Sequence, residues 1–185
     1  MQLVGQLRIQ ARANRLANHR LHAAMAVLSD ADFHAPRTSF FPSLAATLNH
    51  ILAVDLYYIG ALHREPDLPA RYAAFAAAPT LAALAERQRA SDERLIAFCD
   101  AQGAEGCDAI VEMDRGDHVQ RDRAGHVLAH LFMHQTHHRG QVHAMLAGSA
   151  AAPPQLDEFL MPSDAPLRSA DMAALGWREQ DVYPG

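Results

Sequence analysis

The stretch His130-Leu131-Phe132-Met133-His134-Gln135-Thr136-His137-His138-Arg139-Gly140-Gln141 carries four of the chain's twelve histidines within what its spacing predicts to be one helix. Asp122 can cap that helix, which reads from Arg123 to about Ala147 with Gly148 as its C-terminal stop. A helix turns by about 100° per residue, so His138 lies about 40° around from His134 and one turn along. Within about 60° of His134 fall Val127, Leu131 and Met145, together with His130, His137 and Gln141. That face reads as the buried stripe. Each imidazole on it needs a partner, because a buried polar group left unsatisfied costs roughly 1–3 kcal/mol. A shared metal ion would supply one.

Three further helical patterns precede this one. From about Leu3 to Leu28, residues Leu3, Leu7, Leu16, Leu21, Met25 and Leu28 recur mostly at three-, four- and five-residue steps. A polar, Pro-containing connection over residues 29–42 leads to a second helix, Ser43 to about Leu62, closed by Pro66 and Pro69. Thr80 caps a third, which continues through Leu84, Leu95 and Phe98 to about Ala101 and ends before Gly103 and Gly106. Two short extended runs, residues 109–113 and 118–120, flank Asp114-Arg115-Gly116-Asp117 and predict a small hairpin. From about residue 149 the chain holds Pro153, Pro154, Pro162, Pro166 and Pro184, which predicts a tail wrapping the surface with at most one short helix near Ser169 to Leu175. The expected architecture is all-α, one domain over residues 1–185. It is an antiparallel four-helix bundle with a longer excursion before the fourth helix.

Composition narrows the function classes. At 185 residues, folding hides roughly 70% of the unfolded surface, so the chain needs no disulfide or metal staple to hold a core. Half the residues are hydrophobic and only 6% aromatic. No apolar run approaches the ~20 residues that span a bilayer, and no membrane partner is expected. The sixteen basic residues, all Arg, are outnumbered by twenty-one acidic ones for a net charge of −5, which argues against a broad nucleic-acid-binding face. Cys99 and Cys107 fit neither a disulfide framework nor a CxxC metal motif, and Cys99 reads as a small core residue. Met1 leads into a segment with neither a basic start nor an apolar h-region, so the expected compartment is the cytoplasm.

Two histidines four residues apart leave a metal under-coordinated, and His50 is the candidate third ligand. Its face of the second helix carries Ala46, Thr47, Ala53, Val54, Tyr57 and Ala61, while Leu44, Leu48 and Ile51 point elsewhere, so small neighbours leave room for an ion. His130, His137, Gln141 and Tyr57 are read as hydrogen-bond partners of the ligands or as substrate contacts, since four His ligands would leave no open position. Tyr58 reads as a core aromatic, and His19, His22, His34, His63 and His118 as surface or loop residues. The acidic residues Glu86, Asp92 and Glu93 of the third helix read as a solvated charged face. The spacing of His134 to His138 matches the metalloprotease His-Glu-x-x-His motif, but Gln135 replaces the catalytic Glu and an amide is no general base.

Several of these segments resemble the DinB/YfiT-like metal-binding four-helix bundles. The likeness rests on Ala13-Asn14-Arg15-Leu16-Ala17-Asn18, on Thr47-Leu48-Asn49-His50-Ile51-Leu52, on the histidine-rich string quoted first, and on Pro153-Pro154-Gln155-Leu156-Asp157. The resemblance implies a three-histidine site that maps to His50, His134 and His138, helix connections unlike a simple up-and-down array, and a homodimer. Ala13 and Leu16 stand where the family often has Tyr and Trp. Relatives include thiol-dependent transferases and isomerases, which implies a small-molecule substrate and a low-molecular-weight thiol. A role on DNA has only the family's name behind it.

Three imidazoles suit Zn²⁺ or Ni²⁺ and leave a position open for water, whose pKa a zinc site brings to about 7, or for a thiol. The expected function is therefore a metal-dependent hydrolase or thiol transferase. The alternative is a non-catalytic metal or small-ligand binding protein of stress response, motivated by the absence of an Asp or Glu base beside the three histidines.

Overall fold

The computed structural model describes residues 3–103 and 105–183. Four long helices build it: α1 (Leu3–Met25), α3 (Leu44–Leu62), α5 (Leu81–Ala101) and α6 (Ala124–Leu146). Short helices α2 (Asp30–His34) and α4 (Leu68–Ala73) occupy the connections on either side of α3. A hairpin of β1 (Ile110–Asp114) and β2 (Val119–Arg123) precedes α6, and α7 (Ser169–Ala174) and α8 (Glu179–Val182) lie in the tail. The fold is all-α apart from that hairpin, as the periodicity predicts.

Local chemistry sets the boundaries. Ser43 and Thr80 cap α3 and α5, each hydroxyl accepting from the amide three residues on. The connection over residues 29–42 is more ordered than expected, because Ser29 and Asp32 form a reciprocal capping box that starts α2. Pro69 does not simply close the preceding element; it sits in the first turn of α4, where a missing amide proton costs nothing. Gly60 lets α4 close on α3, since a Cβ there would lie 2.6 Å from Leu68 Cδ2.

Asp122 does not cap α6. It is paired opposite Val111 in the hairpin and its carboxylate accepts from Gln120, so β2 runs directly into α6 at Arg123, which makes no side-chain cap. Among the described residues the tail holds two short α-helices rather than one. They pack with Phe159 on Leu16 and Ala17 of α1, while Arg20 binds the Asp171 and Glu158 carboxylates.

Packing contacts join α1 to α5, α5 to α3, α3 to α6 and α6 to α1. The first two long helices in sequence are therefore diagonal, as are the last two. The expectation of a wholly antiparallel bundle is corrected. Asn49 bonds Ala78, Asp55 bonds Gln88 and His63 bonds Arg94, so α3 and α5 run in the same direction. Residues 63–80, with α4, carry the chain back between them. By contrast α1 opposes α5, with Arg8 reaching the carbonyls of Cys99 and Gln102 while Asn18 meets Asp92. Among the described residues only α3 has the length and composition to cross a membrane, and 78% of it is buried inside the bundle.

Candidate metal centre

Ser43 fixes the start of α3 and so places His50 two turns in, facing α6. There the rings of His50, His134 and His138 converge, with one ligating nitrogen from each within 4.8 Å of the others. The His50 and His134 Nε2 atoms are 3.0 Å apart. Two nitrogens on a tetrahedral zinc ion are about 3.3 Å apart, so this separation suits a shared ion at least as well as a lone imidazole hydrogen bond. His138 Nδ1 lies 2.7 Å from Gln141 Oε1, an acceptor, which fixes the proton on Nδ1 and turns the Nε2 lone pair inward. The buried Nδ1 of His134 has no protein partner. The three residues fit a divalent ion and could hold one.

Electrostatics agrees with that donor set. Burial lowers the pKa of all three imidazoles, that of His134 to about 4, with neighbouring rings adding to the effect. Neutral rings are what a metal requires. Phe41, in the loop before α3, packs on His50 and His138 with ring centroids 4.4 and 5.6 Å away, closing one side. No periodicity marked that residue.

On the His134 side the cluster meets a cavity of about 460 Å³. Its walls include Tyr57 and Tyr58 of α3, Tyr72 of α4, Arg115 of the hairpin turn and His130. The Tyr57 hydroxyl donates to the Asp114 carbonyl, which ties the hairpin to α3. The Arg115 guanidinium lies over both Tyr57 and Tyr58, 5.1 and 5.4 Å from their ring centroids, and donates to the Tyr58 hydroxyl. Tyr58 is therefore half-buried wall rather than core. Tyr57 and His130 line the cavity as substrate contacts would, Gln141 supports His138, and exposed His137 packs on the His138 ring, centroids 4.8 Å apart, and meets Gln141 at 3.3 Å.

The stripe of α6 is displaced from its expected position. Leu128, Gln135, Val142 and Leu146 are fully buried and His130 is exposed, so the buried face is centred about 80° around from His134, which sits at its edge. That displacement opens His134 to the cavity.

It also turns Arg139 inward, into a polar cluster drawn from all four long helices. Arg139 donates to the Asn14 and Asn18 carbonyl oxygens, whose amide nitrogens donate to Asp92; Gln88 donates to Asp92 and Asp55. Asp92 is 1% exposed, so its assignment to a solvated face is corrected, while Glu86 and Glu93 do lie on the surface. Burial pushes Asp92 up to about 6 and Asp55 up to about 7 and pulls Arg139 down to about 10. His22 is likewise buried rather than superficial, at the wall of the groove between α1 and α5. Burial, with Arg15 and Arg139 adding to it, lowers its pKa to about 3. The Cys99 thiol is buried and pushed up to about 12, which removes it as a nucleophile at neutral pH.

No curated protein matches the chain. The DinB family model matches residues 8–171, a span that takes in α1 from Arg8 on, the other three long helices and all three converging histidines, and the chain belongs to the DinB family.

Proposed function

We propose that His50, His134 and His138 hold a divalent metal ion, Zn²⁺ or Ni²⁺ by ligand type, and that the protein is a metal-dependent enzyme acting on a small molecule as a hydrolase or thiol-dependent transferase. The observation that carries this reading is the convergence of three imidazoles, kept neutral by burial, at the edge of an aromatic cavity. A bound ion supplies Lewis acidity to a substrate atom entering from that cavity. The chain's own residues do the rest. Gln141 holds the His138 proton on Nδ1, Phe41 keeps water from the far side of the rings, and Tyr57, Tyr58 and Arg115 present an aromatic, cationic wall for an anionic or π-bearing substrate. A low-molecular-weight thiol co-substrate, homodimeric assembly and a cytoplasmic location are proposed with it, by family likeness. Neither nucleic acid nor membrane is proposed as a partner.

A non-catalytic binding protein is the second reading, and one observation favours it. Asp114 is the carboxylate that lines the cavity, and its side chain is taken up by the Gly116 amide, leaving no evident general base. Adding Zn²⁺ or Ni²⁺ at 100 to 1,000 times its Kd to chelator-stripped protein should stabilise it by about 3–4 kcal/mol. For a chain of this length that is a rise in Tm of about 10 °C. No rise in the wild type, or an equal rise in His134→Ala, overturns the metal site. Turnover of an ester, an amide or a thiol-plus-electrophile pair that chelator abolishes then separates enzyme from binding protein.

A further inference from the structure

A second cavity, about 730 Å³, opens between the C-terminal half of α1 and the first turns of α5. It shares no lining residue with the three-histidine cluster. Two of its walls are polar groups for which the fold provides no partner. Arg15 is 7% exposed, yet its guanidinium makes no hydrogen bond or ion pair with any described residue. Its nitrogens keep access to solvent, so the guanidinium opens on the cavity free to pair with an anion from outside. Asp92 and Glu86 both feel Arg15, but the Asp92 oxygens are occupied by Asn14, Asn18 and Gln88 and Glu86 pairs with Arg89. His22 is 9% exposed and its buried Nε2 has no partner either. The ring is neutral at physiological pH, so it can offer an N–H without adding charge.

The third wall is the start of α5. Thr80, Leu81 and Ala82 all line the cavity, and the Thr80 hydroxyl serves the amide of Ala83. The first-turn amides before it have no intrahelical acceptor, and the positive end of a 21-residue helix favours an anion. Asp30 and Glu86 also reach the cavity; both are exposed, and Glu86 is ion-paired with Arg89. His19 and Arg89 add to the polar lining, and the rest of the wall is apolar, with Ala23, Ala26, Leu28 and Ala85. A cationic inner end and an apolar outer wall describe the complement of an amphipathic anion.

We infer that this cavity binds a small organic carboxylate with a short apolar body, its carboxylate taken by Arg15 and the His22 imidazole and its chain lying along the alanine and leucine wall. The planar guanidinium matches a carboxylate in shape as well as charge. The site is independent of the metal centre, so it stands or falls separately from the proposed activity.

The test is a titration of the full-length protein with hexanoate, followed by NMR at the His22 ring, with hexanol and inorganic phosphate in parallel. Saturable shifts at His22 and none at His138 are expected. Hexanoate should bind at least about tenfold more tightly than hexanol or phosphate, and Arg15→Gln should lose about that factor. Ala82→Trp, at an exposed position on the groove wall, should block hexanoate while leaving Arg15 in place, and it decides the matter if Arg15→Gln does not fold. Absence of a saturable His22 shift, equal affinity for hexanol or phosphate, or unchanged affinity in Ala82→Trp overturns the inference.

Discussion

The two polar clusters of the bundle lie on neighbouring residues of α6 and differ in how their hydrogen bonds close. Around Arg139, donors and acceptors from α1, α3, α5 and α6 satisfy one another: guanidinium to asparagine oxygens, asparagine nitrogens to Asp92, Gln88 bridging to Asp55. Around His134, three ring nitrogens point at a common space and one buried nitrogen has no partner. The first cluster uses polarity to hold four helices in one arrangement; the second leaves valence for something from outside. Closure is incomplete at Ser91 Oγ, next to Asp92 on α5, and at the seam between them. There the Gln135 amide lies near enough to Asp55 to lower its pKa somewhat, while neither it nor Asp55 Oδ1 meets hydrogen-bond geometry.

Breaking each cluster in turn should separate these roles. Arg139→Met strands Asp92, Asn14 and Asn18 in the core and should cost about 3–5 kcal/mol in urea unfolding, the penalty for removing one side of a buried charged network. His134→Ala in metal-free protein should cost less than about 1 kcal/mol, because it deletes a ring whose buried Nδ1 is already unsatisfied. Equal losses in the two variants would mean that the histidines, like Arg139, are structural.

The closed cluster also makes a pH prediction. Asp55 and Asp92 hold protons in the folded state up to about pH 7 and 6, whereas the unfolded chain releases them near 4. Their contribution to stability is therefore present at acid pH and is lost as pH rises from about 4 to 7. His22 and His134, lowered to about 3 and 4, work the other way, since the unfolded chain takes up protons below about 6.5 that the folded state refuses. The opposing slopes should partly cancel between about pH 4.5 and 6.5. Asp55→Asn keeps an acceptor for Gln88 but removes one slope. Its stability relative to wild type should rise with pH by roughly 4 kcal/mol between pH 4 and 8, measured by urea unfolding at each pH. A pH-independent difference would show that Asp55 is ionised throughout.

The same contrast explains what could be read before any coordinates. The metal candidates were legible because a ligand pair leaves a local signature: His134 and His138 are one turn apart on one helix, and His50 stands alone among small residues on another. The hairpin and the four long helices were legible for the same reason, each being marked by its own periodicity, caps and glycines. Arg139, Asn14, Asn18 and Asp92 were not, because each looks solvent-facing within its own helix and only the partner helix removes it from water. Periodicity shows that a face is buried but not which helix covers it, so the parallel course of α3 and α5 was hidden too. The displaced stripe of α6 has the same origin, since a count of apolar residues could not anticipate that Gln135 and Arg139 would be buried. Phe41 and Arg115 sit in a loop and a turn, where no period applies.

The smallest expected effect tests how the open cluster is aimed. Gln141 touches no metal candidate nitrogen that faces inward; it holds Nδ1 of His138 from behind at 2.7 Å. Gln141→Ala should leave the fold intact and weaken Zn²⁺ binding by about tenfold, the lower end for losing a partner that orients a ligating imidazole. Gln141→Glu keeps the acceptor and adds a charge that strengthens the hold on Nδ1–H, so it should restore affinity. The lowered ring pKa values add a second readout. Because His134 stays unprotonated to about pH 4 and His50 and His138 are also shifted down, proton competition should begin below the usual imidazole range near 6.5. If instead Gln141→Ala binds Zn²⁺ as tightly as wild type over that whole range, His138 is oriented by its packing against Phe41 and His50 alone, and the open cluster needs no hydrogen bond to point inward.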